Sequence, residues 1–564
     1  MEVLHQVLKS IVLSVCCLTA PFQDTYVIEI PKSVDLNETS AFEVRIKENG
    51  LSENQILHID MPSDFFLYES DGQQSVQGSV SNNSLSYRKD EYDTKTVGLE
   101  IGELAIGEWS GTLPISISIE NTIPSNILEC GEELNAFLQL YDPARILFTD
   151  AVEGTYIGDV SKAKDESVKA YLNEDTIFIS NESEGKILSD ISMKDAFRGL
   201  SSLTYIDLSD LELGQCITFS HMFADSPVLS TIQGIGQIDT SSAQDLSHMF
   251  SGCRLLTSLK ISDWNTGNVT DFSHLFEYCE GLKTLNLLNW DVKNGVGFQN
   301  MFAQCLSLTS TGDLSSWDMN KAEDISKMFY SCQKLRNTGD LSNWSTGTIS
   351  DMSYLFAGCS RLTSVGPISV WDVSNVINLS GVFANASSLA NTGDLNNWQI
   401  SPDCKDLSYL FAGTKSLLGS DPDLSSWNVS AVENMPHMFE NCKLTTLNIE
   451  GWDTSCLKDA SYMFAYNETT SLSELTDIIG IEDLNTSALE TISSIFYENQ
   501  YLNADLSAWN TSVLQDISYA FYGTYRFDID KLKHWNVSSV LDMTQAFGDN
   551  AGTLIQSPVP DWYQ

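Results

Sequence analysis

Apolar residues recur in one fixed order through most of this chain. Fourteen times between Phe197 and Phe547 a phenylalanine occupies the same place in the pattern, usually 25 to 28 residues after the previous one. In residues 276–290 Phe, Cys, three Leu and Trp follow one another at spacings of two or three residues. A period of this size is typical of a solenoid, in which each repeat buries its apolar face against its neighbours.

Each repeat contains signals for one strand and one short helix. The spacing Leu-x-x-Leu-x-Leu, seen at Leu282, Leu285 and Leu287, is that of a leucine-rich-repeat strand. Five residues before most of the phenylalanines stands Asp, Asn, Ser or Thr, as at Asp271, and these residues favour helix N-caps. The apolar residues that follow have helical spacing. They are Phe272, Leu275, Phe276 and Cys279.

The pattern predicts an α/β leucine-rich-repeat-like solenoid of about 14 repeats, preceded by an all-β sandwich domain. Residues 1–20 resemble a secretory leader, and residues 21–148 alternate apolar and polar side chains as strands do. Residues 149–190 form a connector and the N-terminal cap of the solenoid, with a strand pair expected within residues 170–180. The solenoid occupies residues 191–564 and is expected to be truncated at its C-terminus.

The net charge of the chain limits the classes of binding partner that we expect. The chain has 76 Asp and Glu against 30 Lys and Arg, a formal net charge of -46. Such a surface repels nucleic acid and anionic lipid headgroups. Beyond the leader, no stretch approaches the ~18 consecutive apolar residues that span a bilayer, so we expect no membrane-spanning segment. The leader places the protein outside the cell, either secreted or associated with the cell surface.

The repeats carry a family resemblance. The order Trp, Asp or Asn, Thr or Val, Ser, then Asp-Met-Ser, Phe and Cys recurs with substitutions, for example in residues 344–359, where Ser345 and Gly347 stand in the second and fourth places. It resembles the BspA-like leucine-rich-repeat surface proteins, a mycoplasma and firmicute type of repeat of about 26 residues. The resemblance extends from about Tyr171 onward and implies the solenoid fold. It also implies adhesion or contact with host or matrix molecules, although fold alone does not determine function.

A row of carboxylates is the best candidate ligand site. Between the last two apolar positions of the strand, several repeats place an aspartate that faces out of the sheet. Neighbouring strands lie about 4.8 Å apart, so these like charges oppose each other. The row could bind cations or a basic partner, and Asp after Gly also suits a turn or bulge. The candidate ligand-face residues are Asp313, Asp340, Asp394, Asp423 and Asp505.

Three other recurring residue types have structural interpretations. Six cysteines occupy a slot three residues after the phenylalanine, where we expect buried reduced thiols. The tryptophans from Trp264 to Trp535 are expected to pack in the core at the strand end, with carbohydrate stacking as the alternative. Four histidines stand two residues before the phenylalanine, where we expect them on a partly exposed side of the helix. For three of them a stacked metal site is the alternative. These three are His221, His248 and His274.

The sequence favours a non-enzymatic interaction protein that binds a host or matrix protein, or a glycan, through the solenoid face. No phosphate loop, nucleophile elbow or metalloprotease motif is present, and no cofactor is implied. Divalent cations are additional candidate ligands. One alternative is a structural spacer or surface-coat element. Another is a glycan-active enzyme, which would need an acid and a base at ~5 to 10 Å.

Overall fold

The computed structural model describes the strands within residues 26–121 and, apart from residues 183–184, 391, 420, 469–470 and 549–559, residues 126–563. The chain divides into two compact units, Met1–Ser125 and Asn126–Gln564. The predicted leader lies outside the described residues. None of the helices in the described part is long and apolar enough to cross a membrane.

The first unit contains two antiparallel sheets. One has six strands in the order β1-β2-β7-β5-β4-β8, and the other has three in the order β6-β3-β9. Both agree with the alternating pattern of the sequence, and their arrangement as a sandwich stays a prediction. The strands are β1 Tyr26–Glu29, β2 Ala41–Asn49, β3 Gln55–Asp60, β4 Asp64–Glu69, β5 Ser75–Ser81, β6 Ser84–Tyr87, β7 Lys95–Ile101, β8 Trp109–Gly111 and β9 Ser116–Asn121.

The second unit begins with a helix and a mixed sheet. Helix α1 covers Gly131–Gln139. The sheet has the order β11-β12-β13-β10-β15-β17. Its strands are β10 Arg145–Phe148, β11 Thr155–Asp159, β12 Lys169–Asn173, β13 Thr176–Ser180, β15 Tyr205–Asp207 and β17 Thr231–Gln233. Helix α1 and β10 therefore belong to this unit, whereas the sequence analysis placed residues 126–148 in the first domain.

The predicted strand pair is the hairpin of β12 and β13, but β10 lies between it and the repeats. Strand β10 runs parallel to both β13 and β15, so it contributes the strand next to the first repeat. Elsewhere in the unit, strands are short. Two further parallel pairs join β14 Ile187–Leu188 to β16 Leu211–Glu212, and β18 Thr446–Asn448 to β19 Asp477–Ile479.

The segment around each phenylalanine is a series of turns, so the predicted α-helix is wrong. Asp271 does accept a hydrogen bond from the Ser273 N–H at 2.9 Å, as a cap would. The next N–H groups alternate between two destinations: those of Phe272 and His274 reach the following repeat, whereas that of Leu275 turns back to Phe272. Because half of the donors leave the segment, the i to i−4 pattern of an α-helix cannot form.

In the described part of residues 191–548, the regular helices are short 3-10 helices. They are Ile235–Gln237, Leu341–Asn343, Ile368–Val370, Leu395–Asn397, Ile481–Asp483 and Ile529–Leu532. Between the turns, adjacent repeats are joined by parallel bridges. Asp271, for example, bridges Asp245 on one side and Gly297 on the other. Backbone hydrogen bonding between repeats thus takes the place of helices within them.

Columns of stacked side chains fill the interior of the repeats. The Phe276 ring is 5.7 Å from Phe250 and 5.7 Å from Phe302, nearly parallel to both. Trp344 stacks on Trp371 at 6.1 Å. Burial of the tryptophans from Trp264 to Trp535 is confirmed, since each is at most 6% exposed. Their indole N–H groups donate to carbonyls of the preceding repeat.

The cysteine column is also buried, as predicted. The cysteines of the slot after the phenylalanine are free and buried, and the Cys279 thiol donates to the Phe250 carbonyl at 3.1 Å. The interval between Phe464 and Phe496 is longer than the other intervals between phenylalanines of the repeats. Their rings nevertheless stack at 5.8 Å, and Asp459 bridges Thr491, so the column continues past the extra residues.

Candidate functional site on the ring face

The five candidate aspartates are exposed and build turns. Each accepts a hydrogen bond at 3.0 Å from the backbone N–H two residues later. Asp340 and Asp394 are N-caps of 3-10 helices. Hydrogen bonds from the side chain and backbone N–H of Ser342 hold the pKa of Asp340 below its ordinary value, and Ser425 has the same effect on the pKa of Asp423. These carboxylates have a structural role in the turns, and their binding role stays a prediction.

A glycine of the following repeat packs against two of these carboxylates. Gly339 has φ +85° and Gly366 has φ +81°, both in the left-handed region. A Cβ atom on Gly339 would overlap Asp313 Oδ1, and one on Gly366 would overlap Asp340 Oδ1. These two glycines therefore make contacts between adjacent repeats. Gly339 also belongs to a Gly-Asp turn signal, whereas Gly366 precedes Pro367.

A second surface runs along the turns around the phenylalanines, and we call it the ring face. It comprises the side chains two residues before, one residue after and two residues after each phenylalanine. The first of these positions has φ between 48° and 63° in every repeat. Its occupants are Asp195, His221, His248, His274, Asn300, Lys327, Tyr354, Gly381, Tyr409, His437, Tyr462, Ser494, Tyr519 and Gln545.

Rings in this first position stack from repeat to repeat. His221 and His248 lie 4.2 Å apart between ring centroids, and His248 and His274 lie 4.2 Å apart at 7°. Farther along, His437 stacks on Tyr409 at 4.3 Å and on Tyr462 at 4.6 Å. The histidines were expected on a helix side, which is wrong: they occupy left-handed turn positions and are half buried.

Two of these imidazoles are close to a carboxylate, and burial lowers the pKa of two imidazoles. His274 Nδ1 is 2.8 Å from a Glu277 oxygen, and His437 Nδ1 is 2.7 Å from a Glu440 oxygen. Burial, with additional repulsion from His274 and His221 when they are charged, lowers the pKa of His248 to about 4. Burial also lowers the pKa of His221. His248 is consequently a neutral imidazole at neutral pH.

A groove of about 450 Å³ opens on the ring face across four repeats. Ala303 occupies the position after the phenylalanine where the flanking repeats have Glu277 and Tyr330. Because the Ala303 side chain is small and those of Glu277 and Tyr330 are large, a gap remains between the two large side chains. Lys327 Nζ lies 6.0 Å from the Tyr354 ring centroid. The groove is lined by Glu277, Tyr278, Asn300, Ala303, Gln304, Lys327, Tyr330 and Tyr354.

The repeats match a known family. A family model described as Mycoplasma protein of unknown function, DUF285, matches residues 191–311, 217–340, 244–365, 335–421, 360–478 and 469–562. The chain belongs to this family. The search of curated proteins found no match. The DUF285 matches include the ring face and the aspartate row, and the family's description assigns no ligand to either.

Three side chains of the DUF285 repeats could hold a metal ion. One ligand atom from each of His248, His274 and Glu277 lies within 4.8 Å of the others. The sequence analysis considered His248 and His274 together with His221 but missed Glu277. The available signal was its position three residues after His274, a spacing that Glu440 and His437 repeat.

Proposed function

We propose that the protein is a non-enzymatic, adhesin-like binding protein, secreted or held at the cell surface, that recognises glycans through the ring-face groove. The proposal rests on the predicted solenoid fold and on the likeness to BspA-like surface proteins. Binding is distributed along stacked repeats, so affinity is a sum of modest contacts.

The single observation that supports glycans best is the composition of the groove. Tyr278 is 43% exposed, so its ring is accessible to a ligand in the groove. The apolar faces of sugar rings pack on such exposed rings, and side-chain amides bond their hydroxyl groups. Asn300 and Gln304 supply amides beside Tyr278 and Tyr330. An aromatic groove with a few convergent polar groups has the usual character of a small-ligand site.

The groove suits binding better than glycan hydrolysis. Among the described residues that line it, Glu277 is the one carboxylate. Glycoside hydrolysis generally requires two carboxyl groups, an acid and a base or nucleophile, on either side of the scissile bond. The proposal therefore contains no catalytic step.

Glycan-array binding of the whole chain tests this proposal. We expect saturable binding to a subset of glycans, and a loss of at least about tenfold in affinity, about 1.4 kcal/mol, for Tyr278→Ala and for Gln304→Ala. Tyr501→Ala is the matched control because Tyr501 is also exposed, at 38%, and lies outside the groove. Equal loss in the control would contradict the proposal.

A structural spacer is the second candidate function, favoured by the continuous columns. The phenylalanine stack extends past the long interval from Phe464 to Phe496, as a stiff rod requires. Absence of capture from glycan arrays, mucins and matrix proteins alike would favour the spacer. Capture of a matrix protein by both the wild type and Tyr278→Ala would instead place the partner on another surface.

A further inference from the structure

We propose that His248, His274 and Glu277 bind one divalent transition-metal ion of the Zn²⁺ class. This inference goes beyond glycan binding. Glu277 also lines the groove, whereas His248 and His274 do not. The ion would join two adjacent repeats on the surface.

The backbone fixes the spacing of the two histidines. The His248 N–H donates to the Ser273 carbonyl at 2.9 Å, and the His274 N–H donates to the Gln299 carbonyl at 2.9 Å. Both residues have nearly the same φ, 56° and 57°, and occupy equivalent positions in adjacent repeats. Two imidazoles are thereby held side by side at 4.2 Å before any ion arrives.

The donor types select the class of metal. Two imidazoles and one carboxylate are a common protein ligand set for Zn²⁺, with water completing the tetrahedron. Ca²⁺ and Mg²⁺ prefer sites made of oxygen ligands only. All three side chains are half buried, so they need to lose only part of their hydration on binding.

The ion would enter between His274 and Glu277. His274 Nδ1 and Glu277 Oε2 are 2.8 Å apart. Two ligands at ~2.0–2.1 Å from a tetrahedral ion are about 3.3 Å apart, so this pair opens by about half an ångström. The His274 proton then resides on Nε2, and Nδ1 binds the ion. His248 supplies the third bond by turning its ring out of the stack, because the lone pairs of two parallel rings do not converge on one point.

The chain contains its own comparison site. His437 and Glu440 repeat the His274–Glu277 pair, with Nδ1 and the carboxylate 2.7 Å apart. Tyrosines, not a second histidine, stack on His437 from both sides: Tyr409 and Tyr462. One histidine and one carboxylate make a weak site. The neighbouring imidazole of His248 is the additional metal ligand that the His437 place lacks, and Glu440 there also accepts a hydrogen bond from Asn467 Nδ2 at 2.8 Å.

Calorimetric titration of the untagged whole chain with Zn²⁺ tests the site. We expect one strong site, weakened at least about tenfold in His248→Asn and in Glu277→Gln, and unchanged in His437→Asn. Asparagine suits this position because Asn300 occupies it in the next repeat with φ 56°. Tyr409→His should add a second strong site by giving His437 an imidazole neighbour. Ca²⁺ serves as the ion that should not compete.

Three results would overturn the proposal. One is Zn²⁺ binding with the same affinity in the wild type and in His248→Asn. Another is absence of strong binding in the folded wild type, with folding checked by circular dichroism. The third is full competition by Ca²⁺, which would indicate an oxygen-only site elsewhere. A blue Co²⁺ complex of the wild type, lost in His248→Asn, would support the tetrahedral geometry independently of affinity.

Discussion

Replacing Trp344 by alanine should destabilise its repeat strongly. The Trp344 side chain is 3% exposed and stacks between Trp317 at 6.3 Å and Trp371 at 6.1 Å. Its indole N–H donates to the Leu314 carbonyl at 3.0 Å. Removing a buried tryptophan costs about 3–5 kcal/mol, through lost burial and the cavity that remains.

Trp344→Phe separates the hydrogen bond from the ring. Phenylalanine keeps most of the apolar area and loses the donor. The Leu314 carbonyl still accepts from the Trp317 N–H at 3.1 Å, so it is not left unpaired. We therefore expect about 1 kcal/mol for the lost hydrogen bond, plus a smaller packing cost than for alanine.

Hydrogen exchange with mass spectrometry is the suitable assay, because a chain of two units and many repeats need not unfold in one step. Amides of residues 341–371 should exchange about 10²- to 10⁴-fold faster in Trp344→Ala, the factor that corresponds to about 3–5 kcal/mol. The effect should decline with distance along the stack. Equal exchange in Trp344→Ala and the wild type would refute the stacked-core account.

Three further predictions concern the turns and the thiols. Gly339→Ala should accelerate amide exchange in its own repeat more than Gly451→Ala does in its repeat. Both glycines have φ near +85°, but only Gly339 has a carboxylate where the new Cβ would lie; equal effects would leave backbone strain, about 1–3 kcal/mol, as the only cause. Iodoacetamide should label exposed Cys456 in the native protein long before it labels Cys359, because burial raises the pKa of the Cys359 thiol to about 12. Comparable labelling rates would contradict this burial. Since the folded-state pKa of Asp340 is lowered, its small stabilising contribution should be present above pH ~4 and be lost as the pH falls through the folded pKa. Asp340→Asn should remove that part of the pH dependence of amide-exchange protection in its repeat, after correction for intrinsic exchange rates, and an unchanged profile would argue against it.

Much of the packing could be predicted from the sequence, because the repeat places like residues in register. Phe272, Leu275, Phe276 and Cys279 are all buried, as their spacing indicated. The helix could not be excluded by that reasoning, because a spacing of three and four residues also fits successive turns. The deciding hydrogen bonds link different repeats, and no single repeat reveals them. Gly381 was a signal for the left-handed position, because glycine adopts positive φ without strain.

The candidate site, too, could be predicted from the sequence only in part. The aspartate row was visible because its spacing recurs, and its turn chemistry was the alternative interpretation from the start. The groove depends on Ala303 being small between Glu277 and Tyr330, which is a comparison across repeats at one position. The metal-binding group likewise requires His248 from one repeat and Glu277 from the next. Both features arise where side chains of adjacent repeats come together, so the consensus sequence of a single repeat does not reveal them.

The most direct test of the central claim compares the two faces with one ligand. An oligosaccharide identified on the array would be titrated into the wild type, into Tyr278→Ala and into Asp340→Asn, each with native circular dichroism. The account predicts at least about tenfold weaker binding for Tyr278→Ala and wild-type affinity for Asp340→Asn. Loss of binding in Asp340→Asn with wild-type affinity in Tyr278→Ala would contradict it and return the site to the aspartate row.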